Sequence, residues 1–146
     1  MTTVFTQLIA RVLLLPTLVI AAAVLVHGYA STGDGFSAGV IAATGFLIQY
    51  LAFGYRAVER RLPVLRFAPA LAIAGLLLAL LVVFVPVVLG DPIMTHYPRA
   101  GEEVIHAGSI EMLTAVLFDV GVFLIVVGFI VTTIGTVARL AERRIP

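Results

Sequence analysis

MLTAVLFDVGVFLIVVGFIVTTIGTV, residues 112–137, carries a single charged residue, Asp119, among 26 positions. Wound as an α-helix at about 1.5 Å per residue, the run reaches about 39 Å, more than the hydrocarbon thickness of a bilayer, about 30 Å. A carboxylate at the centre of a bilayer costs about 2.5–3.5 kcal/mol on insertion scales. A polar partner, a water-filled path or another helix has to offset that cost. The chain has little polar material of its own, so Asp119 is expected to point outward, towards a neighbouring protein or a polar path.

The rest of the 146 residues agrees with a membrane setting. The chain is 62% hydrophobic and 12% charged, with a mean hydropathy of +1.18; soluble domains are about 45–50% apolar and about 25% charged. A net charge of +1, with arginines clustered at segment ends, argues against nucleic-acid binding. There is no cysteine, which removes disulfides, thiolate metal sites, c-type haem attachment and cysteine catalysis. All nine basic residues are arginine. Lysine can release its proton when desolvated and arginine does not, so a proton route through this chain must use carboxylates, histidines or water.

Four runs are long and apolar enough to cross: Leu8–Val26, Phe36–Tyr55, Phe67–Leu89 and Met112–Ala138. Within the first, Arg11 precedes an apolar stretch and small residues stand at Ala21–Ala23, as in a signal peptide. Its length and the three spans after it favour an uncleaved helix. Arg56, Arg60, Arg61 and Arg66 lie between spans two and three, and Arg139, Arg143 and Arg144 follow span four. The loop between spans one and two has no arginine, and that between three and four has only Arg99. The positive-inside rule then predicts cytoplasmic termini. The expectation is one all-α integral membrane domain over residues 1–146, with four transmembrane helices and no soluble domain.

Pro16 should bend span one by removing a backbone hydrogen bond. Span three has no charge or amide from Phe67 to Leu89 and is expected to be the most lipid-facing helix. On span two, Gly35, Gly39, Ala42 and Gln49 share a face, with Gly35-x-x-x-Gly39 at the spacing that lets helices approach closely. Span four has two faces: Glu111, Ala115 and Asp119 on one, Gly121, Gly128, Thr132 and Gly135 on another.

Glu111 and Asp119 are about 12 Å apart along a helix axis, which sets Asp119 near the midplane if Glu111 marks the boundary. Asp119 is either a packing residue, protonated or hydrogen-bonded, or part of a proton or cation route, with Glu111 and His27 as companions. His27, at the end of span one, suits a structural hydrogen bond or a proton relay. His96 and His106 read as solvated loop residues with no helical metal-ligand spacing, and no metal site is expected. Axial haem ligation lacks a second membrane histidine, and no cofactor is expected. Protease, hydrolase and phosphate-loop signatures are absent. Asp34 reads as a helix cap and Gly90-Asp91-Pro92 as a helix stop.

At three blocks the sequence resembles the B subunit of the Mrp (Mnh) multisubunit sodium/proton antiporter. They are Thr32-Gly33-Asp34-Gly35-Phe36 with Gly39; Gly90-Asp91-Pro92 with Thr95 and Tyr97; and Glu111, Thr114 and Ala115 with Phe118-Asp119, Gly121, Val122 and Gly128. The first block departs from the family pattern. His27-Gly28 stands for a Gly-His pair, Thr32 for proline and Asp34 for glycine. The resemblance implies an accessory subunit, not an enzyme, in a prokaryotic cytoplasmic-membrane complex that exchanges sodium for protons. It implies large antiporter-like and small helical subunits as partners, with the lysine–glutamate chain on the large ones. Related small subunits of membrane-bound hydrogenase and respiratory complexes are the nearest alternative. A four-helix assembly protein is a second and a small quinone-binding protein a third.

Overall fold

The computed structural model describes residues 3–27, 34–96, 106–107, 110–111 and 114–144, the two short pairs by backbone alone. Four helices are long and apolar enough to cross a membrane. They are α1 (Val4–His27), α2 (Asp34–Phe53), α4 (Ala68–Val88) and α5 (Thr114–Arg144). Between α2 and α4 the chain makes a short helix, α3 (Tyr55–Arg61), and a 3-10 turn over Pro63–Phe67. This corrects the expectation of a loop at Arg56–Arg66 and of a span reaching Tyr55. Gly54 breaks the helix at φ +78°, a conformation that L side chains avoid. In α3, Val58 is buried while Arg60 and Arg61 are exposed. The class is all-α, and the one departure among the described residues is an antiparallel ladder of His106–Ala107 with Ile110–Glu111.

The helices stand in an open row, α1–α2–α5–α4. Among the described residues α4 touches neither α1 nor α2, and α1 reaches α5 only marginally. Along α1 and α2, Gln49 Nε2 donates to the Ala10 carbonyl at 2.6 Å, and Gly45 faces Thr17 and Leu14, so the two run antiparallel. Gly35 meets Asp119, Gly39 meets Phe123 and Val126, and Tyr50 meets Gly135, so α2 and α5 run parallel. Gly75 meets Gly121, and Gly128 meets Ala68 and Ala72, which sets α4 antiparallel to α5.

Small residues predominate in the interior: Ala10, Ala21, Ala38, Ala42, Ala43, Ala52, Ala68 and Ala79 are all buried, beside Tyr50, Leu65 and four valines. Phe5, Leu15, Leu77 and Phe129 are largely exposed. That inversion suits a lipid solvent, where apolar side chains gain nothing by meeting one another and close backbone approach drives association. It also corrects the assignment of the most lipid-facing helix. In α4, Ala68, Gly75, Ala79, Val82 and Pro86 are buried, whereas α1 buries only Ala10 and Ala21. Small residues, more than absence of charge, decide which helix packs. Pro16 lies inside α1, where the Thr17 hydroxyl turns back to the Leu13 carbonyl at 2.8 Å.

The row can be tested by cross-linking, since the chain has no cysteine. A Cβ built on Gly45 lies 3.4 Å from the Thr17 Cβ, close to disulfide separations of about 3.5–4.5 Å. Thr17→Cys with Gly45→Cys should cross-link under mild oxidation, and Leu15→Cys with Leu77→Cys, on α1 and α4, should not. Efficient α1–α4 linkage within one chain would mean a closed bundle.

Candidate functional site

Asp119 is 7% exposed, buried within the chain. It takes part in an interaction inside the chain, and among the described residues no buried side-chain nitrogen or oxygen lacks a hydrogen-bond partner. The expectation that it points outward is therefore corrected. Its neighbour is the first turn of α2: a Cβ on Gly35 would stand 2.8 Å from the Asp119 carbonyl carbon and 3.0 Å from its Cα. Helix N-termini carry about half a positive charge, and α2 opens with Asp34 in its first turn. The positive end of α2 thus lies against the α5 backbone at Asp119, the residue that carries the one charge of this apolar run.

The register corrects the depth of Asp119 as well. The 20 residues of α2 span about 30 Å, the thickness of a hydrocarbon core, and Gly35 is the second of them. Asp119, level with it, lies at the end of the row opposite the Arg56–Arg66 segment and away from the midplane.

The second block is a helix stop, as expected. The amide of Asp91 donates to the Pro86 carbonyl at 2.9 Å and that of Gly90 to the Val87 carbonyl at 3.1 Å. With Gly90 at φ +88°, this is a Schellman cap. Pro92 then bars any further helix, and the Thr95 hydroxyl donates to the Pro92 carbonyl at 2.6 Å. His96 Nδ1 lies 3.4 Å from the Thr114 hydroxyl, which joins the second block to the start of the third. His96 is nonetheless exposed and outside any helix, in keeping with the solvated-loop reading.

In the third block, Gly121 fits against Gly75 and Ala79 of α4, while Phe118 is half-buried. The glycine face of α5 divides between two neighbours, Gly121 and Gly128 meeting α4 and Gly135 meeting Tyr50 of α2. Thr132, Thr133 and Thr136 return their hydroxyls to carbonyls one turn earlier in α5. Phe36 is exposed, and so is His27 at the last residue of α1, unlike the buried Asp119. Gly33 and Tyr97, together with the Glu111 side chain, lie outside the described residues.

A polar cluster at the other end was missed from the sequence. The Tyr50 hydroxyl donates to Glu59 Oε1 at 3.1 Å, and the Tyr50 ring stacks on Tyr55 at 6.4 Å between centroids. A cavity of about 250 Å3 there is lined by Glu59, Arg66, Thr132, Thr136 and Arg139. Close by, Glu142 of α5 accepts from the Arg56 amide at 3.3 Å and pairs with its guanidinium at 3.5 Å. The available signal was Glu59, the sole acid in an arginine-rich segment.

Residues 5–132 match the family described as "Domain related to MnhB subunit of Na+/H+ antiporter". This chain belongs to that family. It is 35% identical over 112 residues to the protein named as the B subunit of the Na(+)/H(+) antiporter in Alkalihalophilus pseudofirmus, over 77% of this chain and 76% of that protein. It is 38% identical over 112 residues to the protein of the same name in Bacillus subtilis, over the same shares. A Rhizobium meliloti protein, whose name joins the A and B subunits of a probable K(+)/H(+) antiporter, is 34% identical over 127 residues, 85% of this chain but 12% of that protein. The matched region of this MnhB-family chain takes in the glycine contacts at Gly35, Gly75 and Gly128.

Two glycines of the family blocks should fail for different reasons. Gly35→Ala puts a methyl into the α5 backbone and should cost about 1–3 kcal/mol, the usual range for overpacking. Gly90 has open space around its missing Cβ, so Gly90→Ala should cost only the left-handed backbone penalty, about 1–2 kcal/mol. Thermal unfolding in detergent should show both losses. Only Gly35→Ala should also weaken cysteine cross-linking between α2 and α5.

Proposed function

We propose that this chain is an accessory subunit of a multisubunit secondary antiporter that exchanges sodium for protons across a prokaryotic cytoplasmic membrane. The open row carries the reading. Both edge helices present apolar and small side chains with no second layer against them among the described residues, as in a protein packed among others. The names of the Alkalihalophilus and Bacillus relatives support sodium as the exchanged ion. The joined name of the Rhizobium relative supports the antiporter's A component as a neighbour. Deleting the chain should abolish sodium-dependent proton movement in membrane vesicles, and the chain alone in liposomes should give none. Antiport by the isolated chain would reject the accessory role.

Residues 1–146 then act as one membrane domain with both termini and the Arg56–Arg66 segment cytoplasmic, following the arginine distribution. In intact cells an impermeant thiol reagent should label Thr95→Cys and spare Ala141→Cys. The reverse pattern would invert the topology.

Asp119 serves chiefly as the polar lock between α2 and α5, with Glu111 and His27 at the same end of the row. On this account Asp119→Asn, which keeps shape and hydrogen-bonding capacity, assembles and transports as wild type. Asp119→Leu leaves partners unsatisfied, at about 1–3 kcal/mol, and lowers complex yield. An Asn variant that assembles normally but loses antiport, or shifts its pH profile, would assign Asp119 to the ion route instead.

A further inference from the structure

At the arginine-bearing end, a cavity of about 400 Å3 opens between α1, α2 and α3, lined by Arg11, Leu14, Gln49, Phe53, Arg61 and Leu62, with Val58 behind. Its volume falls in the range of ligand pockets, about 300–1,000 Å3. The Phe53 ring organises it: the Arg61 guanidinium lies 4.4 Å from the ring centroid and that of Arg11 5.9 Å. Two cations from separate elements therefore converge on one apolar surface. Among the described residues no carboxylate lines the cavity, in contrast to the neighbouring one, where Glu59 accompanies Arg66 and Arg139. Among the described residues the ion pair seen is Arg56 with Glu142, leaving the charges of Arg11 and Arg61 without an acidic partner.

Arg11 sits two turns into α1, with Phe5 and Leu8 exposed before it and Val12 and Leu15 exposed after it. An arginine so placed holds its stem in the apolar layer and extends its head to the interface. What waits there is lipid phosphate, and guanidinium binds phosphate with two parallel hydrogen bonds. Basic pockets between membrane helices take anionic headgroups for that reason. Beside Gln49, whose amide nitrogen is already bonded to the Ala10 carbonyl, the remaining wall of Leu14, Leu62 and Val58 is apolar and suits the start of an acyl chain.

We propose that this cavity binds an anionic glycerophospholipid, its phosphate held between Arg11 and Arg61 and its glycerol over Phe53. Bound there, the lipid neutralises both charges and ties α3 to α1, two elements that otherwise meet only through α2.

The test uses the full chain extracted in mild detergent with whatever it assembles with. Photoactivatable phosphatidylglycerol is compared with phosphatidylcholine of the same acyl chains, and cross-links are mapped by peptide. Phosphatidylglycerol should label the α1 and α3 peptides in preference, with the preference falling about fivefold for each arginine lost in Arg11→Gln and Arg61→Gln. Arg11→Lys with Arg61→Lys should retain much of it, and Arg60→Gln should leave it unchanged. Millimolar inorganic phosphate should not displace the lipid; displacement would mark a soluble-anion site and overturn the proposal. Equal labelling by the two lipids in the unaltered chain would overturn it too, as would an equal loss in Arg60→Gln. If the Gln variants do not assemble, the lipid preference of the unaltered chain and of the Lys pair decides.

Discussion

Three of the four helices in this row depend on how closely α5 can approach its two neighbours. In lipid, apolar side chains of adjacent helices gain nothing by leaving their solvent, so contact energy comes from dispersion at short range. Glycine permits that range. Gly35 lets α2 reach the backbone of α5, while Gly75 opposite Gly121, and Gly128 opposite Ala72, do the same for α4. A side chain at any of these points would separate the backbones and forfeit the contacts along several turns. The position of Asp119 follows from the same constraint: it is buried because α2 lies against the backbone beside it.

The α2–α5 pair is fastened differently at its two ends. At one, Gly35 meets the α5 backbone at Asp119. At the other, α5 outlasts the membrane, since its 31 residues reach about 46 Å. Its excess length carries Glu142 to the Arg56 amide and guanidinium. The left-handed turn at Gly54 brings that amide within reach, and Tyr50 closes the same region through Glu59. Parallel helices fixed at both ends resist sliding, whereas α1 and α4 each hold to one partner.

The number of spans was legible because membrane thickness sets a minimum apolar length, and the four runs meet it without overlap. The face shared by Gly35, Gly39, Ala42 and Gln49 was legible because helical periodicity lies within one segment; all four are buried. What failed was information held between segments. The register of α2 against α5 is written in neither sequence alone, so Asp119 was placed at the midplane and aimed outward, when Gly35 sets it at one end and inside. Gly75 was overlooked because an isolated glycine in an apolar run has no polar neighbour to mark it. The Arg56–Arg66 segment reads as a loop because charge hides the one fully buried residue of α3, Val58. Glu59 was overlooked because its partner, Tyr50, lies in the preceding span.

An accessory role follows most directly from how the row spends its polar groups. Asp119 is buried and takes part in an interaction within the chain, Gln49 is turned to the Ala10 carbonyl, the α5 threonines to their own helix, and the Glu59 and Glu142 carboxylates to contacts within the chain. No lysine is present to carry a mobile proton. The surfaces left for neighbours in the apolar layer are leucine, valine and phenylalanine, which recognise shape and exclude water. A chain arranged this way can hold a route for ions between other proteins in place and sealed. At the arginine-bearing end, where charge does remain unpaired, the partner that matches it is the anionic surface of the membrane itself.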